Sequence, residues 1–190
     1  MATWFTSDQH YGHAGILKPT MHCRRDLHFS SVEDMDRAMV ERWNEVVGPN
    51  DEVWCLGDFA YRCSEEYAKG IFNSLNGGKH LVKGNHEKLG VRMPWLSQQD
   101  YKELTVDGQR LVLFHYGLRV WNQMRRGSLH LYGHSHGTLV GCSQSLDVGV
   151  DCWNFRPVSL DEIRARMATL PPAYPEGGQD ADENALAECA

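Results

Sequence analysis

Six cysteines are present, yet no two form a Cys-x-x-Cys pair, which argues against a zinc ribbon, and their scatter offers no disulfide framework. Free thiols are the expectation. No apolar run approaches the roughly 20 residues that a bilayer-crossing helix needs. The first residues, Met1 to Phe5, lack a basic segment leading into a long apolar stretch. These absences point to a soluble, cytoplasmic chain with no membrane partner. Lys and Arg are missing from residues 171–190, which hold Glu176, Asp180, Asp182, Glu183 and Glu188. Removing those five negative charges from the formal −6 leaves −1 for the remainder. Such a body lacks the broad basic stripe of a non-specific nucleic-acid binder, so nucleic acid is not the favoured partner.

What is present is ordinary globular usage, 42 % hydrophobic and 23 % charged over 190 residues, enough for one domain with a substantial core. We assign that domain to residues 1–170. Residues 171–190 are rich in proline, glycine, acid and alanine without apolar periodicity, and are expected to form a flexible acidic tail.

Strand-like runs are expected at Thr3–Ser7, Glu52–Leu56, His80–Val82, Lys102–Val106, Arg110–Phe114, Leu129–Tyr132 and Ser145–Val150, with Asp107-Gly108 as a hairpin turn. Ser30 with Glu33 reads as a capping box opening a helix. Val32, Met35, Met39, Trp43 and Val46 then fall at helical spacing until Gly48-Pro49. Glu65–Leu75 is a second helix, with Tyr67, Ile71, Phe72 and Leu75 on one side. A third runs from Ser159, capped with Glu162, toward Met167.

Five glycine-punctuated clusters sit where these strands end: Asp8-Gln9-His10, Gly57-Asp58, Gly84-Asn85-His86-Glu87, His115, and Gly133-His134-Ser135-His136. In layered α/β folds, ligands collect outside the carboxyl ends of strands. Imidazoles, carboxylates and one amide oxygen together suit a catalytic centre for hard or borderline divalent cations better than a structural one. On an extended backbone Asp8 and His10 would project the same way, as would His134 and His136. Asp58, following a glycine, could bridge two cations through its two oxygens. His22, His28, His80 and His130 are read as structural or surface residues, His13 as a packing or supporting one, and the six tryptophans as core. Arg119, Arg125 and Arg126 are read as a solvated loop.

The order Asp-x-His, Gly-Asp, Gly-Asn-His-Glu, His, Gly-His-x-His resembles the calcineurin-like metallophosphoesterase superfamily over residues 3 to about 165. Val120-Trp121-Asn122, Arg126-Gly127, His130-Leu131-Tyr132, and Gly149-Val150-Asp151 with Trp153 to Pro157 resemble its compact prokaryotic and phage branch. The chain departs from that branch at Gly117 and at Gln123-Met124. The resemblance implies an α/β fold, a four-layer αββα sandwich with two mixed β-sheets. It implies two divalent metal ions, manganese first, with iron, zinc or nickel as alternatives. Asp8, His10, Asp58 and His136 would surround one metal and Asp58, Asn85, His115 and His134 the other, leaving His86 free of metal.

The function expected is hydrolysis of a phosphodiester or small phosphomonoester by a hydroxide bridging the metals, with His86 assisting the leaving group and Asp58 at the centre. Glu87 could orient the His86 imidazole. By similarity to the Gly-Asp-x-x-x-Arg pattern, Arg62 is a candidate substrate contact beside Asn85 and His86. A nuclease or nucleotide hydrolase acting on DNA or RNA ends, and a non-catalytic scaffold of the same fold, are the alternatives.

Overall fold

Along the first strand, β1 (Thr3–Thr6), successive side chains point to opposite faces, and the same alternation recurs in β2 (Glu52–Cys55) and β3 (Gly78–Val82). The computed structural model describes residues 1–173. Val53, Cys55 and Leu81 turn to one apolar cluster, while Phe5, Trp54, Leu56 and Val82 turn to another. The first cluster is completed by two helices, α1 (Val32–Val46) and α2 (Glu65–Ser74), through Met35, Met39, Trp43, Ala68 and Phe72. The second is completed by a second sheet, through Leu111, Leu113, Leu129, Leu131 and Leu146.

The first sheet has the order β4-β3-β2-β1-β9, adding β4 (Ser97–Gln99) and β9 (Val158–Ser159). All its neighbours are parallel except β1 with β9. The second has the order β5-β6-β7-β8, comprising β5 (Tyr101–Val106), β6 (Gln109–Phe114), β7 (Leu129–Tyr132) and β8 (Ser145–Asp147). Only the β5–β6 hairpin is antiparallel there. Both sheets are therefore mixed, as expected. The last helix, α3 (Leu160–Met167), contacts β9, β1 and β8 and sends Leu160, Ile163 and Met167 into the inter-sheet core. On the far face of the second sheet, the Trp121 ring lies 5.4 Å from His130.

Several local expectations shift. The N-cap of α1 is Ser31, whose hydroxyl accepts from the Asp34 amide, one residue later than the Ser30/Glu33 reading. The α3 capping box at Ser159 and Glu162 is present as read. Tyr67 is 39 % exposed, because its hydroxyl donates to Asp36 at 2.9 Å at the edge of the α1–α2 contact. The strand expected over Ser145–Val150 stops at Asp147, and Val150–Cys152 forms a 3-10 turn. β4 and β9, three and two residues long, were not expected. Among the tryptophans, Trp43, Trp54 and Trp95 are buried, while Trp4, Trp121 and Trp153 are half-buried. The flexible tail expected over 171–190 falls, from residue 174 onward, outside the described residues.

Because β1, β2 and β3 run parallel, as do β6 and β7, their carboxyl ends share one edge of the sandwich. The bridge between Ser7 and Gly149, and the Val150 amide donating to the Ser7 carbonyl at 3.0 Å, tie the two sheets together at that edge.

Candidate metal centre

All five clusters emerge at this edge, and their side chains meet. The donor atoms of Asp8, His10 and His136 lie within 4.8 Å of one another, as do those of Asp8, Asp58 and His115. Asp58 Oδ2 stands between two imidazoles, 3.6 Å from His10 Nε2 and 3.8 Å from His115 Nε2. His115 Nε2 is 2.9 Å from Asn85 Oδ1, and the His134 ring centroid is 5.2 Å from that of His115.

The side chains converge by a route other than an extended backbone. Asp8, His10, Asp58, His134 and His136 all have positive φ, at +60°, +54°, +56°, +64° and +47°. The extended geometry expected for the Asp-x-His and His-x-His pairs is thus corrected: each pair lies on a left-handed turn just past its strand. Such conformations cost about 1–3 kcal/mol apiece and persist where the surroundings over-determine them. Gly57, with φ +103°, lets this happen, since a Cβ there would lie 2.6 Å from the Gly84 backbone and from His115 Nδ1.

The over-determination comes from buried charged side chains that grip loop backbone. Arg25, fully buried, donates to the carbonyls of Asp8 at 2.6 Å and Gln9 at 2.8 Å. It also forms a two-pronged pair with Asp151 at 2.7 and 2.8 Å, and Asp151 Oδ2 in turn accepts from His136 Nδ1 at 2.7 Å. Glu87 accepts from the amides of Asp58 (2.6 Å), Gly84 (3.1 Å) and Phe59 (3.3 Å). Its carboxylate is therefore committed to the backbone, which corrects the expectation that it orients the His86 imidazole. Asp147 accepts from Ser135 Oγ (2.5 Å), Gly137 N (3.0 Å) and Gly149 N (2.7 Å). Neither Arg25 nor Asp147 was singled out from the sequence, and Asp151 appeared only within a family-like stretch.

The donor set fits divalent cations. Asp8 Oδ1 and His10 Nδ1 are buried without a hydrogen-bond partner. His115 Nδ1 lies 2.6 Å from the Leu56 carbonyl, which only accepts, so a neutral ring carries its proton there and presents a lone pair at Nε2. That lone pair faces the Asn85 oxygen, and a cation between them would turn two opposed acceptors into ligands. His136 likewise spends Nδ1 on Asp151 and leaves Nε2 for the cluster, an outer hydrogen bond typical of metal-binding histidines. Burial, reinforced by Arg25, lowers the His10 pKa well below its usual value, keeping it neutral. Burial also raises the Asp8 carboxyl to about 7, an unfavourable position for an anion that an adjacent cation would relieve.

His86 is half-buried on the rim. Its amide donates to Asp58 Oδ1 at 2.8 Å, and its ring lies 5.8 Å from His10 and 4.6 Å from Tyr61. His13 packs its ring 4.7 Å from Tyr61 and 5.6 Å from His10, with Nδ1 buried and unpartnered. Arg62 is exposed, with its guanidinium 5.1 Å from the Tyr61 ring centroid and φ +59°. His80 stacks on Trp54 at 4.4 Å, and His130 is fully buried, matching their structural reading. His22 and His28 are exposed, as are Arg125 and Arg126.

Comparison with known proteins shows the family and the fold. A family model described as the calcineurin-like phosphoesterase superfamily domain matches residues 4–154. An uncharacterized protein of Methanocaldococcus jannaschii is 29 % identical over 168 residues, covering 84 % of this chain and 88 % of its own. The gene 66 protein of Mycobacterium phage L5 is 28 % identical over 197 residues, covering 85 % and 91 %. A solved structure, a protein of unknown function from Aquifex aeolicus, superposes with a TM-score of 0.69 at 23 % identity, covering 87 % of this chain and 98 % of that one. At that identity the likeness speaks for the fold.

Proposed function

Since the chain belongs to the calcineurin-like phosphoesterase superfamily, we propose that it is a metal-dependent hydrolase of a phosphodiester or small phosphomonoester. One observation carries the reading: a single carboxylate oxygen, Asp58 Oδ2, lies 3.6 and 3.8 Å from imidazole nitrogens delivered by two different sheets. Asp8, His10, Asp58 and His136 would hold one divalent cation, and Asp58, Asn85, His115 and His134 a second, manganese first with iron, zinc or nickel as alternatives. Such ions, when bound, supply Lewis acidity and a water acidified to near neutrality.

The chain's own side chains do the rest. Arg62 and the Asn85 amide hold phosphoryl oxygens against the centre. His86, fixed by its amide to the carboxylate that would join the two cations, stands where a ring nitrogen can give its proton to the departing alkoxide oxygen. The buried, unpartnered Asp8 and His10 donors disfavour a scaffold, because unused polar groups at such depth are costly.

The test is turnover of bis(p-nitrophenyl) phosphate and p-nitrophenyl phosphate with manganese, nickel or zinc and with chelator, alongside single-stranded DNA. Asp58→Asn and His86→Ala should remove most turnover while circular dichroism stays native. Folded, metal-loaded variants with near-normal rates refute the assignment. DNA cleavage without ester turnover would favour the nuclease reading.

A further inference from the structure

Beside His86 the surface opens into a cleft of about 260 Å³ lined by Tyr61, Arg62, His86, Lys88 and Arg92 among others. Its charge is lopsided. Arg62 and Lys88 have no carboxylate within ion-pairing distance among the described residues, and Arg92 shares one, Glu65, at 3.0 Å. Glu65 also pairs with Lys69, so Arg92 is only partly neutralised. These cations stand on a body that is otherwise nearly neutral. The Arg62 backbone is held at φ +59°, a strained setting for a residue other than glycine and one that proteins keep at working positions. Stacking on Tyr61 is not what the cleft offers, because that ring is already flanked by His13, His86 and the Arg62 guanidinium.

We infer that this cleft receives a second anionic group, a carboxylate or phosphate, carried on the leaving-group side of the substrate. The inference rests on the proposed hydrolysis and deepens it. If His86 protonates the departing oxygen, the departing half of the ester lies toward the cleft that His86 lines. Lys88 and Arg92, two and six residues further along the same loop, then meet whatever charge that half carries. Lys88 also borders the neighbouring cleft lined by Asn85 and Tyr116, whereas Arg92 borders the His86 cleft and not that one, so the two cations separate the two locations.

The experiment compares two diesters, phenyl 4-nitrophenyl phosphate and phenyl 3-carboxy-4-nitrophenyl phosphate, which differ by one carboxylate on the leaving phenol. The readout is the ratio of their kcat/KM values in each enzyme, so intrinsic reactivity cancels between enzymes. Two exposed ion pairs at low ionic strength predict that Lys88→Gln and Arg92→Gln together lower this ratio by about five- to tenfold, with each alone lowering it by a part of that. The effect should fade as salt rises. Glu65→Gln, which frees Arg92, should raise the ratio. An identical ratio in the parent and all variants overturns the subsite, and a change with Lys88→Gln alone overturns its placement in this cleft. If the parent protein turns over neither diester nor p-nitrophenyl phosphate with manganese, nickel or zinc, the hydrolase reading fails and the subsite falls with it; turnover of the monoester alone keeps the hydrolase reading and overturns the subsite.

Discussion

Asp151→Asn removes one charge and almost no volume from a buried network, so its cost can be worked from the geometry. Arg25 is fully buried and the Asp151 side chain is 5 % exposed. After the substitution Arg25 keeps the Asp8 and Gln9 carbonyls but loses its counter-charge. Breaking a buried pair by removing one partner costs about 3–5 kcal/mol, because the survivor is left charged in a poor dielectric. At about 2–4 °C per kcal/mol for a chain of this size, the melting temperature in chelator should fall by about 6–20 °C. The same carboxylate orients His136 through Nδ1, so divalent-ion affinity should also fall, by about 10- to 100-fold.

Burial alone would raise the Asp151 carboxyl, but the Arg25 charge and the hydrogen bonds from Arg25 and His136 outweigh it and hold the group well below the usual carboxylate range. A depressed folded value contributes stability above the unfolded value of 3.8 that is lost as pH falls below it. The gap between parent and variant should therefore be full at pH 7 and narrow in strong acid. In the double variant Arg25→Met/Asp151→Asn the stranded charge is gone, so the two losses should fall short of additivity by more than about 1 kcal/mol. Chemical denaturation in chelator and calorimetric titration with manganese read both quantities. A single-variant loss under about 1 kcal/mol, or strict additivity, would refute the account.

Gly57→Ala places a methyl 2.6 Å from the Gly84 backbone at φ +103°, and should cost at least about 1–3 kcal/mol and lower the melting temperature correspondingly; an unchanged melt would show that the Gly57–Gly84 approach is slack. Glu162 has its carboxyl lowered to about 2, first by its hydrogen bond to Arg156, and this depressed value contributes above 4.5 and fades as pH falls toward 2. Glu162→Gln should thus cost up to about 1 kcal/mol at pH 7, the range of exposed pairs, and less at pH 3. Equal gaps at the two pH values, read by thermal melts, would contradict it.

The strands and the placing of the clusters at their ends were legible because both signals are local, whereas the two-sheet sandwich was implied by the family resemblance. Alternating apolar runs announce β1, β2, β3, β6 and β7, and each hands a glycine or a histidine cluster to the same edge. What escaped depends on partners far away in sequence. β4 and β9 are too short to carry a pattern and exist because β3 and β1 offer them edges. Arg25 meets Asp151 across 126 positions, and an arginine beside Arg24 and Asp26 reads as solvated until the fold buries it. The left-handed turns at Asp8, His10, His134 and His136 were equally hidden, because aspartate and histidine do not announce positive φ as glycine does.

Those turns and the buried charges are two halves of one device. Each strained loop is gripped by an ionisable side chain bonding to its backbone: Asp8–His10 by Arg25, Asp58 and Gly84 by Glu87, and the His134–His136 turn by Asp147. Glu87 gives the sharpest test, since it holds two clusters at once through three amides. Glutamine in its place keeps one acceptor oxygen and turns the other into a donor that faces N–H groups. At least one buried amide is then unsatisfied, at about 1–3 kcal/mol. Burial also raises the Glu87 carboxyl to about 7, so in the metal-free protein its own stabilising contribution already weakens as pH rises from 4.5 through 7. Glu87→Gln should therefore destabilise the chelated protein by about 1–3 kcal/mol at pH 5 and by less at pH 8. It should also weaken metal binding at both values, because the Asp58 turn is no longer held. Denaturation within about 0.5 kcal/mol of the parent at pH 5, with metal affinity unchanged, would mean that the loops keep their left-handed form without the grip.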